Sequence, residues 1–184
     1  MKVLVVVDMQ NDFIDGSLGT PEAQAIVPNV KKKVEKAVKN SDMIVYTRDT
    51  HFSNYLDTKE GKKLPVKHCI IGKDGWRIPD ELLPPTTYKN AHIFDKYTFG
   101  YNKLPAKIRN ILLTNDIWEY CTEIEVVGLC TDICVVSNAL LLKSEFFEEL
   151  EISVDATCCA GVTPETHEAA LKTMEMCQIN VKRG

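Results

Sequence analysis

Short runs of β-forming apolar residues recur along the chain at 3–7, 43–46, 91–94, 124–129, 152–154 and 179–181. Most are continuous, with no polar residue on every second position. A strand exposed on one face alternates, whereas a strand buried on both faces is apolar throughout, as in a parallel sheet covered by helices. Helical patterns separate the runs. Residues 28–38 place Val30, Val34 and Val38 on one stripe between lysines. Residues 105–113 open on a proline suited to a first helical turn, 132–150 are apolar and then acidic, and 163–177 open with "TPETHEAA". Strands alternating with helices predict a three-layer α/β/α fold around a parallel sheet.

No repeat or shift in composition divides the 184 residues, so 1–184 read as one domain. The exception to its regularity is residues 48–88, rich in Lys, Pro and Gly with little periodicity. An irregular segment that long within a compact domain is usually functional. The net charge of −4, with no cluster of Lys or Arg, argues against a nucleic-acid partner. The apolar runs are far too short for a membrane span. "MKVLVVVDMQ" breaks at Asp8 with no small-residue cleavage site, so it reads as a buried strand of a cytoplasmic protein. Seven cysteines, an odd count, fit a reducing compartment in which most thiols are small core residues.

In such folds ligands sit beyond the carboxyl ends of the strands. That rule selects Asp8, Asp49 and His51, Asp95 and Lys96, Cys130 and Cys134, and Asp155. In "GLCTDIC", Cys134 falls in the first turn of the next helix, with Thr131 or Asp132 as N-cap. Free N–H groups and the helix dipole there favour a thiolate and can hold an oxyanion. The bland alternative is a buried small residue at a strand–helix junction. The spacing is not the C-x-x-C of redox or zinc motifs. Cys130 lies nearer the strand and lines the site. Asp8 either satisfies turn amides or acts as a general base. Lys96 alone would be a solvated lysine; at the same sheet edge, the three supply base, cation and nucleophile. Asp49, His51 and His68 with a further carboxylate, Glu60 or Asp57, would form a nitrogen and oxygen site for zinc, manganese or iron. His92 and His167 read as packing or cap contacts.

"VVVDMQNDFIDGSL", "YTRDTH", "FDKYTFGY" and "GLCTDICVVSNAL", in that order, resemble the isochorismatase-like cysteine hydrolase superfamily, closest to its nicotinamidase/pyrazinamidase branch. The resemblance runs from about residue 3 to 181. It implies a six-stranded parallel sheet and a triad of Asp8, Lys96 and Cys134. It implies a cis peptide before Cys130 that aims the Cys130 N–H, beside that of Cys134, at an oxyanion. It places Gln10 and Phe13 in the substrate pocket. It implies one divalent metal, zinc in the first instance, with iron or manganese as alternatives, on Asp49, His51, Glu60 and His68. Glu60 takes the fourth place because residues 52–67 contain no histidine. A tryptophan that stacks the substrate ring in many members is here Leu64; Tyr55, Trp76 and Tyr101 are the aromatic candidates to replace it. The implied reaction releases ammonia from a small carboxamide, nicotinamide first, through a thioester, in a homo-oligomer. An amidase for carbamoyl or ureido compounds, or a binding subunit that kept the pocket, are the alternative readings.

Overall fold

A computed structural model describes all 184 residues. Six parallel strands form one sheet in the order β3-β2-β1-β4-β5-β6. They are β1 (Lys2–Val7), β2 (Met43–Asp49), β3 (Ala91–Lys96), β4 (Glu123–Leu129), β5 (Glu151–Ala160) and β6 (Asn180–Lys182). The helices are the short α1 (Asn11–Ile14), then α2 (Pro21–Lys39), α3 (Leu104–Thr114), α4 (Val136–Glu145) and α5 (Pro164–Met176). α2 covers one face, against β1, β2, β4 and β5, while α3, α4 and α5 contact one another on the other. The three-layer fold expected from the sequence is the fold observed. Val3, Val5, Val6, Val7, Ile44, Val45, Ile124, Val126 and Val127 are fully buried, which is why these strands carry no polar alternation.

Three strands run further than their apolar cores, β5 continuing through Asp155 to Ala160. β2 continues through Thr47, Arg48 and Asp49, and β3 through Asp95 and Lys96. Asp49 and Lys96 are therefore partners in register on adjacent strands, rather than residues of the following loops. α2 begins at Pro21, seven residues before the expected start, with Thr20 as N-cap accepting from the Ala23 N–H. Pro28, at the expected start of the helix, lies inside it. α5 matches its expected opening, with Thr163 as N-cap and Pro164 in the first turn. Its reciprocal capping partner is Thr166, since Thr163 accepts from the Thr166 N–H and donates its own N–H to Thr166 Oγ1.

Gly128 near the end of β4 sits at φ +121. A Cβ there would collide with the carbonyl oxygen of Val7 and lie 2.8 Å from its nitrogen. The glycine lets β4 approach β1 next to Asp8 and accommodates the register shift between β4 and β5. Gly128→Ala is expected to destabilise the protein by about 2 kcal/mol or more, from backbone strain plus overpacking. A urea unfolding midpoint unchanged from wild type would refute that role.

The irregular segment is stitched to the sheet by the residues that follow Asp8. The Gln10 side chain donates to the carbonyls of Asp49 and Trp76, both at 2.9 Å, and accepts from the Asp49 N–H at 2.7 Å. Asn11 donates from its side chain to Asp74 O and from its backbone to Arg77 O. Asp12 Oδ2 accepts from the Cys69 N–H at 2.7 Å.

Candidate active site

Asp8, Lys96 and Cys134 meet at the carboxyl edge of the sheet. β1 delivers Asp8, which leaves the strand at φ +47. β3 delivers Lys96, and the turn after β4 delivers Cys134. Asp8 and Lys96 are completely buried and Cys134 is 5% exposed. Lys96 Nζ stands 2.6 Å from Asp8 Oδ2, 3.4 Å from Cys134 Sγ and 3.5 Å from Asp49 Oδ1. Thr47 donates to the other Asp8 oxygen at 2.7 Å. Thr47 lies within "YTRDTH", one residue past the apolar run at 43–46; its role follows from β2 extending alongside β1.

Burial raises the Asp8 pKa against the lowering effect of Lys96 and Thr47, and the nearby Asp49 charge raises it further. Burial also disfavours charge on Lys96, but the surrounding Asp8, Cys134 and Asp49 outweigh it and hold the ammonium well above its usual range. Cys134 is held well above the ordinary thiol value, by burial first and then by Asp8. The helix terminus favours a thiolate, while burial beside Asp8 pushes the other way, towards the thiol. Residues Thr131–Val135 form a π-helical turn with extended Cys130 at its start, and no side chain caps it. The expected N-cap residues are used elsewhere: Thr131 Oγ1 lies 2.8 Å from His167 Nδ1, and Asp132 accepts from the Val162 N–H. The peptide before Cys130 is cis, as the resemblance implies. Burial pushes the Cys130 thiol up to about 12. Asn138 donates to Cys134 O at 2.8 Å and to Phe99 O, and accepts from the Tyr101 N–H, which ties the turn to the loop after β3.

Beside this trio, ligand atoms of Asp49, His51 and His68 lie within 4.8 Å of one another. His51 Nε2 is 2.8 Å from Asp49 Oδ2, yet it is buried without a hydrogen bond. Close convergence without a directed bond fits ligand atoms aimed at a shared centre. His68 Nδ1 lies 2.8 Å from Val66 O, so its N–H donates there and Nε2 is turned to Asp49 at 3.5 Å. Burial opposes ionisation of Asp49, but the two histidines and Lys96 hold its carboxyl below the usual range. Glu60 stands outside the tight cluster, with Oε1 3.7 Å from His51 Nε2. The donor set of one or two carboxylates and two imidazoles suits zinc, iron or manganese.

A cavity of about 600 Å3 opens above both groups, with Phe13, Asp49, Glu60, Leu64, His68, Cys130 and Cys134 in its walls. Two of the expected substrate contacts lie elsewhere. Gln10 spends its amide on the backbone clamp, and Tyr101 turns from the cavity to pack against Phe94 at 6.4 Å between ring centres. The aromatic replacements for a ring-stacking tryptophan are committed too. Tyr55 packs on His51 and His68 and donates to Leu64 O. Trp76 donates to Thr50 and carries the Arg48 guanidinium at 3.7 Å over its ring. The cavity wall instead includes Tyr97, Phe99, Ile133 and Val162. "FDKYTFGY" contains Tyr97 and Phe99, but only the extension of β3 to Lys96 turns the following residues over the mouth.

A family model, the isochorismatase domain, matches residues 2–182. The chain belongs to the isochorismatase domain family. Within that family it is 24% identical to nicotinamidase of Saccharomyces cerevisiae, over 98% of this chain and 99% of that protein. Its fold is similar to the pyrazinamidase of Pyrococcus horikoshii solved in complex with zinc, at TM-score 0.79 and 26% identity over 100% and 99% of the two chains. It is also similar to N-carbamoylsarcosine amidase of Thermoplasma acidophilum, at TM-score 0.75 and 28% identity over 99% and 95%. This isochorismatase-family chain has no helix long and apolar enough to cross a membrane.

Proposed function

We propose that the protein is a cysteine amidohydrolase that releases ammonia from a small carboxamide through a thioester, with nicotinamide as its first substrate and the cytoplasm as its compartment. The observation that carries this reading is the buried contact of Lys96 with both Asp8 and Cys134 at the floor of the cavity. All seven cysteines are free, which suits that compartment.

Asp8 is the general base. Its raised pKa brings it nearer to that of a group able to take and return a proton near neutrality. It removes the thiol proton of Cys134, and Lys96 stabilises the thiolate sulfur at 3.4 Å. The thiolate attacks the carboxamide carbon, and the N–H groups of Cys130 and Cys134 receive the oxyanion. Asp8 returns the proton to the departing nitrogen, the C–N bond breaks, and ammonia leaves a thioester. Asp8 then deprotonates water, which attacks the thioester and returns the thiol and a carboxylic acid. Phe13 and Leu64 flank the bound amide. Asp49, His51 and His68, with Glu60 at the edge, would hold the divalent metal. When bound, it supplies a positive point that orients the substrate's ring nitrogen or an ordered water.

The test is ammonia release from a panel of nicotinamide, pyrazinamide, carbamoyl amines and ureido acids. The carbamoyl and ureido compounds enter because of the likeness to the N-carbamoylsarcosine amidase. Release from none of them would leave the binding-subunit reading. Metal analysis of protein purified without a histidine tag is expected to return about one zinc, iron or manganese per chain, and less in His51→Ala and His68→Ala variants. Absence of all three metals would remove the metal from this reading.

A further inference from the structure

The cavity is larger and differently charged than a single-ring amide requires. At about 600 Å3 it falls in the range that encloses drug-sized ligands, about 300–1,000 Å3. Its two carboxylates, Asp49 and Glu60, both face the histidine cluster. Its remaining charged wall residues are Lys59 and Lys63, on the turn that carries Glu60. Neither lysine makes an ion pair, as holds for most lysines on this surface; those that pair are Lys2, Lys31, Lys33 and Lys182. They stand with Leu64, Tyr97 and Phe99, exposed large side chains on the same cavity wall, of which Tyr97 also stacks on Phe52. A protein of net charge −4 thus carries unpaired positive charge at the mouth of the cavity above Cys134.

We propose that Lys59 and Lys63 select carboxamide substrates whose far end bears an anionic group, with the carboxamide at Cys134 and an apolar body along Leu64 and Phe99. This rests on the amidase reading for the orientation of the ligand. The two lysines are specificity residues; they touch neither the carboxamide nor the thiol.

The probes are a pyridine-3-carboxamide bearing an ω-carboxyalkyl chain and the same molecule ending in a hydroxymethyl group. Two readouts are compared: kcat/KM for ammonia release by the intact enzyme, and calorimetric Kd on the Cys134→Ala protein. The acid is expected to be favoured about fivefold in both at low salt, as for two exposed ion pairs. The ratio falls towards one at high salt and in a Lys59→Ala/Lys63→Ala variant. An acid that is no better than the alcohol, or a preference that survives the double substitution, overturns the proposal. If neither probe is hydrolysed but lysine-dependent preference for the acid persists in binding, the amidase reading fails and the anion site stands. If nicotinamide and the alcohol are hydrolysed with no preference for the acid, the reverse holds.

Discussion

Cys134→Ala is expected to reduce ammonia release from nicotinamide by roughly five to six orders of magnitude, the scale on which removal of a nucleophile from an interdependent set acts. The fold should persist, because the substitution removes one buried sulfur and leaves the Asp8–Lys96 ion pair, the Thr47 bond and the Asn138 tie in place. Cys130 supplies the control. It lines the same cavity, but its thiol is held near pKa 12 and its proposed contribution is a backbone N–H. Cys130→Ala should therefore retain activity within about tenfold, since one thiol was asked for its sulfur and the other was not. Mass spectrometry of a quenched reaction should find the acyl group on Cys134. Ammonia release that survives in Cys134→Ala, or acylation of Cys130, would refute the assignment.

Lys96→Ala carries the second large effect, on both turnover and stability. Removing one partner of a buried ion pair typically costs about 3–5 kcal/mol. Asp8 can escape part of that cost by binding a proton, so the loss should fall at the lower end. The same proton disables the base. Lys96 now opposes the upward push of burial on the Asp8 pKa. Without it the carboxyl moves higher still, and the acid limb of the rate profile, where activity falls as Asp8 becomes protonated, shifts to higher pH. Turnover should drop by about 10^3 or more at neutral pH, since both base and thiolate stabilisation are lost. Assays must run well below the variant's unfolding temperature, so that loss of fold is not read as loss of chemistry. A variant with an unmoved acid limb would place Lys96 outside the proton transfer.

The sheet was legible in the sequence because its strands are buried on both faces and therefore have no polar alternation to hide them. The ends of those strands were less so. Thr47, Asp49 and Lys96 are polar, yet they remain in the ladder because their side chains are paired below the cavity, Thr47 with Asp8 and Lys96 with Asp8 and Asp49. The helix expected over 28–38 begins too late because its stripe counts from Val30, while the N-cap and first-turn proline that start it are Thr20 and Pro21. The proposed active-site residues could be named from motif order and strand ends, and the structure brings them together. The charge state of Cys134 could not, because burial opposes a helix terminus and burial is a tertiary property. The cavity lining was least legible. Gln10 and Tyr101 have suitable side chains, but hydrogen bonds and packing turn them away, while Lys59 and Lys63 look from sequence like ordinary surface lysines.

The clamp formed by Gln10, Asn11 and Asp12 has a consequence for how this protein can be altered. Two residues after Asp8, the Gln10 side chain grips Asp49 and Trp76, and Asp12 holds the backbone next to His68. The irregular segment is thus not a cassette that could be exchanged while the rest of the chain stays as it is. A graft of another relative's 48–88 segment would have to bring matching backbone at Asp49, Cys69, Asp74, Trp76 and Arg77, or the loop that carries Asp8 would shift with it. Changes in what the cavity accepts are therefore easiest at side chains that carry none of this stitching, such as Lys59 and Lys63 on the turn after Thr58.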